Sequence, residues 1–170
     1  MLRFLFPRLT ADRARGADLF AWVTAEARLP HWYVAGEVAD TVDGRFAMLT
    51  TVAALVMVRL ERESDEGKAT TAALTERFVD SMTAEHREMG LGDPKLGRTV
   101  RALVGSLGRR IGQWRAAITA GHWSESARTS AYGADEPSAA ALAHTAAELS
   151  RLWNRLEAAP AAAIAEGRIA

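Results

Sequence analysis

At 170 residues, with 49% hydrophobic and 25% charged positions, the chain is sized for a single domain with a substantial core, and extended disorder is excluded for most of it. The absence of cysteine excludes disulfides, thiolate nucleophiles and cysteine-ligated metals. Its 21 basic and 21 acidic residues cancel, but no acid lies between Asp93 and Glu125, where Lys95, Arg98, Arg101, Arg109, Arg110 and Arg115 stand, so the remainder of the chain is acidic.

The opening MLRFLFPRL is apolar but short, with Arg3, Pro7 and Arg8 inside it, which fits neither a secretory signal nor a membrane span. Thr10 is placed to cap a first helix at about 11–28, with Asp12 in its first turn. Ala14, Ala17, Leu19, Phe20, Val23 and Ala27 give that helix an apolar side, and Pro30 ends it. His31, Trp32 and Tyr33 then read as a loop anchored by buried aromatics, outside any helix; an apolar contact patch is the functional alternative.

The stretch from Asp40 to Leu60 is the centre of the pattern. Asp40, Thr41 and Asp43 supply oxygens for the free amides of a helix first turn, and Gly44 permits a tight approach. The uncharged run from Phe46 to Val58 follows, between Arg45 and Arg59. It is too short to cross a bilayer, which takes about 20 apolar residues, and it is apolar nearly all round, as a core helix is. That helix should end near Arg62, with Ser64 to Lys68 as a connection and Thr70 or Thr71 starting the next. Leu74, Phe78, Met82 and Met89 form the face of the next helix, and Gly90 to Pro94 break it.

Two such helices on a short connection run antiparallel. Asp40, Asp43 and Arg45 should therefore meet Arg87, Glu88 and Asp93 at one end of the domain, with Arg45 and Arg87 pairing with carboxylates in a partly buried network.

The helix at about 96–120 has the cleanest period: Val100, Leu103, Leu107, Ile111, Trp114 and Ile118 form a core face. Gly105, Gly108 and Gly112 fall on another side with Arg98 and Arg101, although glycine weakens a helix by about 1 kcal/mol relative to alanine. Either a neighbouring helix crosses closely there, or a shallow basic groove formed by Arg98, Arg101, Gly105, Gly108, Arg109 and Gly112 receives a client. Gly121 ends this helix, and the stretch to Asp135 is irregular or holds one short helical piece. Pro137 suits a first helical position, and Leu142, Ala146, Leu149, Trp153 and Leu156 mark a last long helix to about Ala158. The fold class is all-α: one domain over residues 1–170, of five or six helices.

Chemistry has little support. His31, His86, His122 and His144 are scattered without an HExxH arrangement, so no metal site is expected. Glu85 and Glu88 are helical neighbours, but His86 should point about 100° away from Glu85, so the three should not converge. There is no G-x-S-x-G turn and no phosphate loop, so no cofactor and no small-molecule substrate are expected.

DTVDGRF at Asp40–Phe46 and REMGLGD at Arg87–Asp93, followed by Gly108 and Arg109, resemble the ubiquinol-cytochrome c chaperone family. The resemblance covers roughly residues 29–118 and leaves the C-terminal third unassigned. It departs where the family pattern has an acid after the phenylalanine and a histidine in the central helix; here stand Ala47 and an uncharged run. It implies a non-enzymatic helical assembly factor for the respiratory cytochrome bc complex, whose client is newly made cytochrome b. The ribosome and a second assembly subunit are further partners it admits; a cytoplasmic location is expected, with peripheral membrane contact through the opening apolar segment as the alternative to its packing back on the domain. The rival is a nucleic-acid or ribosome-binding protein acting through its basic helix.

Overall fold

The computed structural model describes residues 16–63, 65–88, 90 and 93–170, with backbone alone at Asp93 and Pro94. Thr10, Asp12 and the MLRFLFPRL segment lie outside these residues. The helices are α1 (Ala17–Ala27), α2 (Pro30–Val34), α3 (Val42–Leu60), α4 (Asp65–Glu88), α5 (Asp93–Ala120), α6 (Trp123–Ala127), α7 (Ala139–Ala158) and α8 (Ala161–Ala165), with a π-helical turn, Arg128–Tyr132, continuing α6. Among the described residues there is no strand, and the all-α class holds.

The core is organised around α3, which is buried from Thr50 through Val58 and again at Leu60. A helix buried on every side needs neighbours on every side, and α1, α4, α5, the π-turn and α7 supply them. Its two internal threonines satisfy their hydroxyls locally: Thr50 donates to Phe46 O at 2.8 Å and Thr51 lies 2.7 Å from Ala47 O. Arg59 leaves the helix end and donates to Leu156 O at 3.0 Å and Ala159 O at 3.2 Å, capping the carbonyls at the end of α7.

The antiparallel α3–α4 pair forms as expected, with the Phe46 and Phe78 rings 6.0 Å apart. Its connection is tighter than the sequence suggests, because α4 starts at Asp65 rather than at Thr70 or Thr71. Gly67 makes this possible: a Cβ there would lie 2.5 Å from Leu60 O, inside the end of α3.

Two further segments differ from expectation. His31, Trp32 and Tyr33 belong to the short helix α2, since Pro30 opens a helix there as well as closing α1. Trp32 is fully buried and donates to Glu26 O at 2.8 Å; Tyr33 donates to Ala27 O at 2.7 Å, so both aromatics tie α2 to the end of α1. Pro137 precedes α7 instead of opening it: Ser138 is the cap, and its Oγ accepts from Ala141 N at 3.1 Å. Glu37, at φ 52 in the left-handed region, accepts from Ser138 N and Oγ, both at 3.0 Å, and ties the loop before α3 to that cap.

Candidate functional site

The Asp40–Phe46 segment stands at the start of α3 for local reasons. Thr41 caps the helix by accepting from Gly44 N at 3.2 Å. Gly44 is required because a Cβ there would fall 1.9 Å from Ala39 O. Arg45 Nε donates to Asp40 Oδ1 at 2.6 Å, and this guanidinium holds the Asp40 carboxyl below the usual carboxylate range. The pair is exposed, about 60% on each side chain, rather than partly buried.

Behind this entrance lies a cavity of about 350 Å³ between α1, α3, α4 and α5. Phe20, Ala27, Phe46, Leu49, Met82 and Leu103 give it apolar walls. Thr24, Arg28, Asp43, Arg45, Ser81, Glu85 and His86 form its polar lining, and Val42, 73% exposed, stands at the same place. Leu29 and Val34 are the other large apolar side chains exposed among the described residues, so all three fall between the end of α1 and the start of α3.

The two charged motifs meet only in part. Asp43 and Arg45 line the cavity with Glu85 and His86, whereas Arg87 and Glu88 are exposed, and no ion pair among the described residues joins them to Asp40, Asp43 or Arg45. The side chain of Asp93 lies outside the described residues. His86 and Glu85 line the cavity but Glu88 does not, so the three do not converge on one site. His86 Nδ1 lies 2.8 Å from Met82 O, one turn back on its own helix, so this nitrogen donates the hydrogen.

On α5 the core side is Leu107, Trp114 and Ala117, with Leu103, Ile111 and Ile118 packed against it. The opposite side is open. A Cβ at Gly108 or Gly112 would meet nothing within 4 Å, and at Gly105 only the Arg109 guanidinium at 3.6 Å, so no internal helix crosses there. Arg98, Arg101 and Arg109 are exposed beside these glycines. Two other arginines of α5 are engaged: Arg115 makes a two-pronged pair with Glu61, at 2.9 and 2.6 Å, and Arg110 donates to Ser106 Oγ and Ser130 O.

Sequence spacing missed three long-range groupings. His31 Nδ1 lies 3.2 Å from His144 Nε2, joining α2 to α7. Ser130 Oγ lies 2.6 Å from Thr51 Oγ1 and accepts from Trp114 Nε1 at 3.2 Å, wiring the π-turn to α3 and α5. Tyr132 Oη is 2.5 Å from Gly36 O and 2.7 Å from Thr145 Oγ1; burial raises its pKa, and its hydroxyl donates to the carbonyl. Residues separated by such distances along the chain carry no local signal.

Among the described residues no group of three or more potential ligands is arranged to hold a metal ion, and no helix is long and apolar enough to cross a membrane. The fold and the cavity define an all-helical domain with an apolar pocket and a charged rim. The chain belongs to the ubiquinol-cytochrome C chaperone family, whose model matches residues 35–170. The match includes the C-terminal third, which the motifs alone had left unassigned. The crystal structure of the Cbp3 homolog from Brucella abortus has the same fold, with a TM-score of 0.80 at 23% identity, covering 100% of this chain and 96% of that one. No curated protein gave a significant match.

Proposed function

We propose that this protein is a non-enzymatic assembly chaperone that holds newly made cytochrome b for the ubiquinol-cytochrome c oxidoreductase complex, and that the client is met at the mouth of the α1–α3–α4–α5 cavity. The observation that carries the contact site is the coincidence of the cavity's apolar walls with exposed Val42, in a family defined as chaperones of this complex. A membrane-protein segment awaiting assembly exposes apolar side chains, and a cavity of this size takes one or two of them. The charged rim suits a transient hold, since polar groups at the edge keep their water when the site is empty.

The test is recovery of cytochrome b with the tagged protein from cells. Val42→Glu, at an exposed position, should leave thermal unfolding unchanged and sharply reduce recovery; unchanged recovery would overturn the cavity-mouth assignment. Gly108→Leu, in parallel, reads the open side of α5 formed by Arg98, Arg101, Gly105, Gly108, Arg109 and Gly112, where absent neighbours leave room for a client helix. Asp43→Asn and Glu85→Gln test the non-enzymatic reading: complex assembly should persist in both.

A further inference from the structure

We propose that the outer side of α5 is a docking surface for an anionic lipid bilayer, through Lys95, Arg98, Arg101 and Arg109. All four are exposed, and among the described residues none has an ion-pair partner. No acid follows Asp93 on this helix, so nothing on α5 itself neutralises them. Arg110 and Arg115 show the contrast, since protein groups already hold their guanidiniums.

The shape of this side selects the partner. Between the cations the exposed residues are Gly97, Ala102, Gly105 and Gly108, and none extends beyond a methyl group. A folded protein partner is gripped by anchors seated in pockets, and this side offers neither. Single-stranded nucleic acid is held on exposed aromatic platforms, and the Trp114 ring of this helix is fully buried. A plane of phosphate headgroups asks only for cations along a straight, unobstructed line. From Lys95 to Arg109 that line is roughly 21 Å long at the rise of an α-helix.

The consequence is a reversible contact. Each cation near an anionic surface multiplies partitioning about fivefold, so four together give a several-hundredfold preference for anionic over neutral bilayers. Attraction of this kind fades within a Debye length, roughly 8 Å at physiological salt, and is screened as salt rises.

Flotation of the full chain with vesicles tests this. Binding is expected to phosphatidylcholine–phosphatidylglycerol vesicles and not to phosphatidylcholine alone, and salt should reverse it. The triple variant Arg98→Glu, Arg101→Glu, Arg109→Glu should lower partitioning at least about a hundredfold with an unchanged melting temperature, because these side chains are exposed and hold no ion pair among the described residues. Lys68→Glu, at the exposed α4 lysine paired with Asp65, should bind as the parent does. Absence of binding to anionic vesicles, or full binding by the triple variant, overturns the proposal. So does displacement of the protein from vesicles by an RNA oligonucleotide at concentrations far below those of lipid phosphate, which would assign the surface to nucleic acid.

Discussion

His31 and His144 show how a contact invisible in sequence sets a pH response. Their ring nitrogens are 3.2 Å apart, a spacing that suits a shared hydrogen between neutral rings and opposes two charged ones. Burial lowers the His31 pKa from its usual 6.5, with His144 and Arg151 acting in the same direction and Glu148 and Glu26 opposing. Because the folded value is depressed, the contribution to stability is full above the unfolded pKa. It is lost as pH falls from there toward the folded value, while the unfolded chain takes up the proton first. The melting temperature should therefore fall more steeply between about pH 7 and pH 5 in the parent than in His31→Gln. Parallel profiles would show that the pair does not titrate in this way. At the same scale, the Arg45–Asp40 pair illustrates the opposite case: it is formed but largely exposed, so water screens it and it contributes little to stability.

At the scale of elements, glycines separate packing from surface. Gly44→Ala drives a methyl into Ala39 O, a backbone atom that cannot step aside, and should destabilise by more than about 1 kcal/mol in urea unfolding. Gly108→Ala adds the same methyl to open space and should stabilise by about 0.5–1 kcal/mol. Equal effects at the two sites would contradict the open side of α5. The positions of the long helices were legible because an apolar period survives wherever one face meets the core, as on α5 and α7. The ends were less so. Pro30 reads as a stop and also serves as a start, and the polar Ser64–Lys68 stretch reads as a loop although Gly67 lets α4 begin inside it. The antiparallel pairing of α3 and α4 was legible from the short connection, and it brought Asp43 and Arg45 near Glu85 and His86. The cavity between them was not, because Phe20 and Leu103 arrive from helices on either side.

At the scale of the molecule, the C-terminal third completes the enclosure of α3. Leu149, Leu152, Trp153 and Leu156 of α7 join the one core, Ser130 bonds to Thr51, and Arg59 caps α7. Burying four such side chains contributes roughly 1.5–3 kcal/mol each, comparable in sum with the roughly 5–15 kcal/mol by which a domain of this size is stable. A fragment ending at Gly121, which keeps every motif residue, should show no cooperative thermal transition and should bind a hydrophobic dye. A sharp transition in that fragment would show that the earlier helices fold alone.

The Arg59 contact carries this into the order of synthesis. During translation α3 emerges well before the carbonyls of Leu156 and Ala159 that its arginine will hold, which follow Arg59 by 97 and 100 residues. Until they arrive, a helix that the finished fold buries on nearly every side lacks part of its enclosure, so a protein whose family attends other proteins' assembly passes through a stage in which its own core is open to unwanted contacts.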